Sequence, residues 1–364
     1  MPCYQLFCSK CSQGISLFVD TFPEHFVVTC QSCRTVLFRT QLPKTVMQPK
    51  EKEKWILSNR YVLENLLGRG GNGTVYKALD RNDQSHVAIK IIHEDVNVDE
   101  FTGEADRLSR LLREVSFSSD IAHPNIVHIK DCSRSDLDKF PDRPYIVMEL
   151  IEGPSLKDYV TEKKGMDPLE ATEMVCSLCQ TLYFLFKKHN LIHRDIKPDN
   201  ILLHPLGKTL VPKLIDFGLA KVIGETSITK SNTGMGTPFY MPVEQIKDAK
   251  RATHQSDIYA LGATFYFMLA GIPPYWEYKG NMEVLRAKIL PQKYKARSLQ
   301  EHFDAKGLPL HPVLAQAVEK SMAEDPSGRF RDSMEMREFL RTRYLLKEKE
   351  RSEERRVGKE CRSR

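Results

Sequence analysis

The chain has 364 residues, of which 41% are hydrophobic and 28% charged, and its formal net charge is +6. These proportions exclude a disordered, collagen-like or coiled-coil chain, and the length suits one large domain with a smaller one. The longest apolar stretch, residues 258–272, is shorter than the roughly 18 residues of a membrane-spanning helix. Because the amino terminus also lacks the basic and apolar segments of a secretory signal, we expect a cytoplasmic protein with no membrane contact in these residues.

The amino-terminal segment is rich in cysteine. Cys8 and Cys11 form one Cys-x-x-Cys pair, Cys30 and Cys33 form a second, and 18 residues separate the two pairs. This spacing is typical of a zinc ribbon, in which four thiolates hold Zn²⁺ tetrahedrally and supply most of the stability of a very short domain. We therefore predict a structural Zn²⁺ site in residues 1–40. A redox-active pair, or cysteines without any ligand, are the alternatives.

The next segments in chain order are predicted to form a linker and then a sheet. Residues 41–58 contain two prolines and a Lys/Glu run, which predict a linker. The patterns that follow predict strands over 61–67, 74–79, 86–92 and 145–150, and a helix over 107–118.

The second half of the chain is mostly helical. Asp167, Pro168 and Glu170 have the spacing of a capping box, which predicts a helix that continues to about His189. A further Cys-x-x-Cys, Cys176 and Cys179, lies within this helix and is interpreted as core packing.

A glycine-rich turn connects the first two predicted strands. Residues 67–75 read LGRGGNGTV, a G-x-G-x-x-G-x-V pattern, and the chain continues from it as a strand rather than as a helix. That context argues against a dinucleotide-binding unit, in which the glycines open a helix. Fifteen residues after Val75 the sequence VAIK ends in Lys90. At this point the chain resembles a protein kinase.

The remaining motifs of that family follow in order. Residues 193–200, HRDIKPDN, match its catalytic loop, and residues 216–218, DFG, match its metal-binding triplet. The resemblance covers about residues 60 to 342 and implies an α+β, bilobal kinase domain over residues 59–344. Its β-rich amino-terminal lobe and helical carboxyl-terminal lobe would follow the small zinc ribbon.

The resemblance implies a role for each matching residue. Asp195 is expected to accept or orient the proton of the substrate hydroxyl, and Lys197 to contact the γ-phosphate. Asn200 and Asp216 are expected to hold Mg²⁺ or Mn²⁺. Lys90 is expected to pair with a glutamate from a helix of the amino-terminal lobe. Glu114 is the candidate for that partner and Glu104 is the alternative.

The same resemblance implies an ATP site. The expected ATP-binding residues lie on the glycine turn, on the strand with Lys90 and at the end of the strand over 145–150: Gly68, Gly70, Gly73, Val75, Ala88, Lys90, Met148, Glu149 and Ile151. Met148 takes the gatekeeper position beside adenine, and Glu149 and Ile151 are expected to offer backbone hydrogen bonds.

The activation segment, residues 216–244, departs from the family pattern at its end. The chain has PVE where Ala-Pro-Glu is usual, yet Glu244 is retained and is expected to pair with Arg329. Lys197 and Thr237 are typical of the serine/threonine class. Arg194 is expected to be an exposed cation that binds a phosphate on the segment, with Thr233 the preferred site among Thr226, Ser227, Thr229, Ser231 and Thr233.

The sequence thus predicts a serine/threonine protein kinase that uses ATP, acts on protein substrates and phosphorylates its own activation segment. A pseudokinase scaffold and a zinc-ribbon adaptor regulated by the kinase are the alternatives. We expect no nucleic-acid partner, because residues 1–50 carry only five basic against two acidic side chains. Residues 351–364, RSEERRVGKECRSR, match one reading frame of a common sequencing adapter, and we expect them not to be native.

Overall fold

The structure is a computed structural model that describes part of the chain. For the first four ranges given below it describes only the strands. The described residues are 3–7, 14–18, 27–29, 36–39, 56–70, 73–92, 121–133, 145–207, 209–216, 238–248, 251–278, 284, 288, 296–351 and 354. The chain divides into two compact units, Met1–Glu64 and Asn65–Arg364.

The first unit contains two antiparallel hairpins and a short strand pair. β1 (Cys3–Phe7) pairs with β2 (Gly14–Phe18), and β3 (Val27–Thr29) pairs with β4 (Val36–Arg39). In sequence, one Cys-x-x-Cys pair falls between the strands of each hairpin.

The predicted linker over 41–58 is too long at its carboxyl end. β5 (Ile56–Leu57) pairs with the start of β6 (Tyr61–Gly70), and Leu57 is fully buried. Two adjacent large apolar residues favour a buried strand over an exposed linker.

In the second unit, β6 from Asn65 onwards begins an antiparallel sheet with the strand order β6–β7–β8–β10–β9. The other four strands are β7 (Gly73–Asp80), β8 (His86–Ile92), β9 (Ile129–Cys132) and β10 (Tyr145–Glu149). β8 is buried after its first residue, as expected for a central strand rich in valine and isoleucine. The predicted strands are therefore confirmed, with ends that differ by up to three residues.

The rest of the second unit is helical. Its described α-helices are α1 (Leu156–Lys163), α2 (Pro168–His189), α3 (Val243–Lys247), α4 (His254–Ala270), α5 (Leu299–Ala305), α6 (Pro312–Ser321) and α7 (Ser333–Leu340). None of the helices in the described ranges is both long and apolar enough to cross a membrane.

α2 begins at the predicted cap. Asp167 Oδ1 accepts hydrogen bonds from the backbone N–H groups of Leu169 and Glu170. The second half of the predicted capping box is not formed, because the Glu170 carboxylate accepts a hydrogen bond from Tyr159 Oη instead. Asn190 ends the helix in the left-handed conformation, with φ 51°.

α4 is the central core helix. All but its first two residues are buried, which accounts for the continuous apolar stretch that the sequence shows there. Gly262 brings the helix against Ser321 of α6, where a Cβ atom would collide with the serine side chain. α4 therefore provides a rigid support, and Asp257 in its first turn reaches from it to the site described below.

A hairpin and a single 3₁₀ turn position the central residues of the site. β11 (Ile201–Leu206) pairs with β12 (Thr209–Leu214), directly after the 3₁₀ turn Pro198–Asn200. The backbone N–H of Ile215 donates to the carbonyl of Asn200, which holds the end of the hairpin against its beginning.

Candidate active site

An ion pair joins buried Lys90 of strand β8 to Asp216, two residues after the end of the β11–β12 hairpin. Lys90 Nζ donates to Asp216 Oδ1 at 2.6 Å, and the lysine is 5% exposed. Val75 and Ile146 are the register partners of Lys90 on the two neighbouring strands. Asp216 has φ 61°, in the left-handed region that aspartate adopts more readily than most residues. The pair brings a cation and a carboxylate from distant parts of the chain to one place.

Asp195 is held by two side chains of its own loop. Lys197 Nζ donates to both carboxylate oxygens, at 3.0 and 2.7 Å. Asn200 Nδ2 donates to Asp195 Oδ2 and to the Asp195 carbonyl, each at 2.8 Å. These contacts fix the direction of the carboxylate, and Lys197 supplies a positive charge beside it. The predicted residues Asp195, Lys197 and Asn200 therefore form one cluster.

Asp257 anchors the loop that carries this cluster. Its carboxylate accepts from the backbone N–H of His193 at 2.7 Å and from that of Arg194 at 2.8 Å. Burial raises the pKa of Asp257 to about 7, although these two hydrogen bonds act in the opposite direction. Asp257 thus holds the backbone of the loop that carries Asp195.

His193 completes the support of the loop. Its Nδ1 accepts from the Asp195 backbone N–H, and Nε2 lies 3.1 Å from the carbonyl oxygen of Ile215. Burial lowers the pKa of His193, which favours the neutral ring. A neutral ring with its proton on Nε2 satisfies both contacts and links the Asp195 loop to the residue before Asp216.

Arg194 differs from the sequence expectation of an exposed cation. It is half-buried, its backbone has φ 67°, and Gln245 of α3 donates to its carbonyl at 2.6 Å. These backbone contacts hold the residue against the protein. Among the described residues, the buried Nε of Arg194 has no hydrogen-bond partner.

The glycine turn continues as a strand, as the sequence predicts. Gly68 and Gly70 lie on β6, and Gly73 and Val75 lie on β7. A Cβ atom at Gly73 would lie 2.6 Å from the carbonyl oxygen of Ile91, so the close approach of β7 to β8 requires glycine there. The strand pairing favours the kinase type of glycine loop over the dinucleotide-binding type.

The strand that is expected to contact adenine, β10, lies between β8 and β9. Met148 on β10 is the register partner of Ala88 on β8. The backbone N–H of Glu149 donates to the carbonyl of His128 at 2.9 Å. The Glu149 carboxylate accepts from Lys213 Nζ at 2.7 Å. Ile151 is buried just beyond the strand.

The end of the activation segment is fixed by the predicted ion pair. Arg329 binds Glu244 through two parallel hydrogen bonds of 2.7 and 3.0 Å, and the arginine side chain is fully buried. Burial raises the pKa of Glu244, but the hydrogen bonds and charge of Arg329 outweigh it, and the pKa lies below its ordinary value. Pro242 precedes α3 and leaves Glu244 in the first turn of that helix.

The oxygen donors near Asp216 suit a hard divalent cation. Asn200 uses its amide nitrogen on Asp195, so its oxygen is the atom available to a metal, and Asp216 contributes a carboxylate. Mg²⁺ is commonly held by one or two such side chains together with phosphate and water oxygens. No group of three or more His, Cys, Asp or Glu side chains suited to a metal occurs in the described stretches.

Several predicted site residues lie outside the described residues. They are Glu114 and its alternative Glu104, the phosphorylation candidates Thr226, Ser227, Thr229, Ser231 and Thr233, the class residue Thr237, and Cys8, Cys11, Cys30 and Cys33.

The sequence interpretation missed two contacts of the site, those of Gln245 and of Lys288. Gln245 is 51 residues from its partner, and Lys288 is 47 and 49 residues from its partners. No local motif indicates pairings over such distances.

Comparison with known proteins agrees with this geometry. A family model described as protein kinase domain matches residues 61–353. The chain is 32% identical over 286 residues to the serine/threonine-protein kinase PknB of Mycolicibacterium smegmatis, covering 78% of this chain and 43% of that protein. It is 32% identical over 292 residues to the serine/threonine-protein kinase PrkC of Bacillus subtilis, covering 79% and 41%. The chain thus spans less than half the length of these relatives.

A solved structure shows the same fold. The crystal structure of Rad53 1-466 in complex with AMP-PNP matches with a TM-score of 0.59 and 22% identity, covering 76% of this chain and 64% of that one. At this identity the likeness shows the fold alone. The family model, which spans the Lys90–Asp216 pair and the Asp195 cluster, shows that the chain belongs to the protein kinase domain family.

Proposed function

We propose that the chain transfers the γ-phosphate of ATP to serine and threonine hydroxyls of proteins. The observation that carries this proposal is the position of the two acidic side chains. Asp216 is paired with buried Lys90, and Asp195 is paired with Lys197 and Asn200, while His193 links the two loops. A scaffold without catalysis would have no need of this full set.

Asp195 and Lys197 act on the two reacting partners. The substrate hydroxyl donates its proton towards Asp195 as its oxygen bonds to the γ-phosphorus, and the bond from that phosphorus to the bridging oxygen of ADP breaks. Lys197, which lies 2.7 Å from Asp195 Oδ2, is placed to balance charge on the transferred group.

Lys90, Asp216 and Asn200 act on the nucleotide side. Lys90 binds phosphate oxygens, and Asp216 and Asn200 hold Mg²⁺ or Mn²⁺. When bound, the cation neutralises negative charge on the phosphates. The adenine ring lies beside Met148 and meets the carbonyl of Glu149.

The direct test is phosphate transfer by the purified chain. Casein is incubated with γ-labelled ATP and Mg²⁺, and the labelled amino acids are then identified. We expect phosphoserine and phosphothreonine, with no label when EDTA is present. ATP binding without transfer would instead support the pseudokinase alternative, and label on tyrosine alone would contradict the substrate class.

We further propose that residues 1–40 bind Zn²⁺ through Cys8, Cys11, Cys30 and Cys33. Two short hairpins support this proposal, because one Cys-x-x-Cys pair falls between the strands of each. A ribbon that presents two cysteines from each of two turns offers the tetrahedral thiolate set that zinc prefers.

A further inference from the structure

A buried lysine holds the turn that follows the Gly-Thr-Pro segment. Lys288 is 1% exposed, and its Nζ donates to the carbonyl oxygens of Phe239 at 2.8 Å and Met241 at 2.7 Å. Residues 238–241 form a turn, in which the Met241 N–H donates to the Pro238 carbonyl. Two bonds from one amine group therefore fix both sides of Tyr240.

In the part of the chain that the structure describes, Lys288 has no acidic partner of its own. The rings of Tyr259 and Tyr275 lie 5.0 and 4.9 Å from Nζ. Glu244 is the acidic group that acts on Lys288, and its carboxylate is already bonded to Arg329 and Ser256. Burial lowers the pKa of Lys288 well below its ordinary value. Because a neutral amine also carries two N–H donors, both carbonyl contacts are available in either charge state.

The held turn borders the loop of Asp195. Gln245, four residues after Met241, donates to the carbonyl of Arg194, the residue that precedes Asp195. A hydroxyl acceptor must come within hydrogen-bond reach of Asp195, so the polypeptide that carries it passes over the neighbouring surface. The Pro238–Met241 turn forms part of that surface.

We propose that Lys288 is a positioning residue for the protein substrate, acting through the backbone of Phe239 and Met241. This inference rests on the proposed phosphoryl transfer. It adds Lys288 as the residue that positions the surface where the protein substrate binds. No contact that the structure describes joins Lys90, Asp216 or Asn200 to this turn, and we expect Lys288 to leave ATP binding unchanged.

The hydrogen bonds that Lys288→Met removes lie in the turn. The carbonyls of Phe239 and Met241 lose their donor in this variant, and a buried unpaired carbonyl is unfavourable. The turn is therefore expected to change its conformation locally while the helical core stays folded.

The test distinguishes an effect on binding of the protein substrate from an effect on binding of ATP. For Lys288→Met we expect the KM for casein to rise about tenfold, the equivalent of one hydrogen bond. The KM for ATP and the slow hydrolysis of ATP without casein should stay unchanged. Lys320→Met is the matched control, because Lys320 contacts Glu335 and the Phe330 ring, away from the turn.

Two further measurements complete the test. Hydrogen exchange at the amides of Phe239, Tyr240 and Met241 should be faster in Lys288→Met than in the wild type. Lys288→Gln, which keeps an N–H donor, should give an intermediate KM for casein and replaces the methionine variant if that protein does not fold.

The outcomes are distinct. An unchanged KM for casein together with unchanged hydrogen exchange overturns the inference. An equal loss of casein phosphorylation and of ATP hydrolysis without casein also overturns it, because that result would indicate a general structural role. If the wild type transfers no phosphate, the proposed function fails, and the exchange measurement alone still decides whether Lys288 holds the turn.

Discussion

Lys90 and Asp216, 126 residues apart in sequence, meet in an ion pair of 2.6 Å that connects the sheet to the helical part of the same unit. The lysine side chain is 6% exposed, so this charge is shielded from water and depends on its partner. The contact explains why a lysine occupies a strand whose other buried residues are apolar.

Replacing Lys90 by methionine is expected to lower kcat/KM about a hundredfold, since the cation that binds phosphate is lost and Asp216 loses its partner. Turnover of casein is the measurement. Lys157→Met removes an exposed lysine that pairs with Asp199 and should leave turnover unchanged. Equal activity of Lys90→Met and the wild type would refute the role of Lys90.

Glu244→Gln is expected to destabilise the protein by about 3 kcal/mol near neutral pH, because fully buried Arg329 would keep its charge without a counter-ion. The folded-state pKa of Glu244 lies below its ordinary value, so its stabilisation is present above that value and is lost as the pH falls through the folded pKa. Denaturant unfolding at several pH values measures both effects.

The variant should therefore lose part of the acid dependence that the wild type shows below the ordinary glutamate pKa. Glu335→Gln is the control, because its partner Lys320 is half-exposed and the expected cost is only about 0–1 kcal/mol. An equal free energy of unfolding for Glu244→Gln and the wild type would show that the ion pair with Arg329 does not stabilise the protein.

Thr233→Ala is expected to lower activity about tenfold, because a phosphate on the activation segment would gain charge-assisted hydrogen bonds from Arg194. The buried Nε of Arg194, which lacks a partner in the described part of the chain, is a donor for that phosphate. Mass spectrometry of the autophosphorylated protein locates the site, and Thr229→Ala serves as the control. Full activity of Thr233→Ala would exclude Thr233 as the switch.

The amino-terminal unit is expected to contain one Zn²⁺ per chain. Elemental analysis should find the metal in the wild type and in Cys132→Ser, which changes a cysteine of β9, but a reduced content in Cys30→Ser. Chelation should unfold the hairpins, since so short a segment has little core of its own. Wild-type protein without zinc, or unchanged zinc in Cys30→Ser, would contradict the ribbon.

The sequence predicts those parts of the site that local motifs define. Asp195, Lys197 and Asn200 lie within one loop, and the cap of α2 at Asp167 is visible from its neighbours in the chain. The match to the family pattern indicates the pairing of Glu244 with Arg329 as well.

Contacts that depend on packing could not be predicted in this way. A lysine in a helical stretch ordinarily faces water, and the burial of Lys288 depends on Tyr259, Tyr275 and the turn carbonyls coming together. The half-buried state of Arg194 likewise follows from Asp257 and Gln245, whose contacts with its backbone exist only in the folded chain.

The most direct test of the central claim is a comparison of Asp195→Asn with Asp199→Asn, two neighbouring carboxylates of the same loop. Asp199 pairs with exposed Lys157, whereas Asp195 is bonded to Lys197 and Asn200. We predict that Asp195→Asn lowers phosphate transfer to casein by about a hundredfold or more while ATP still binds, because proton acceptance is lost and the nucleotide contacts remain. Asp199→Asn should transfer phosphate at the wild-type rate. Wild-type turnover in Asp195→Asn would contradict the account.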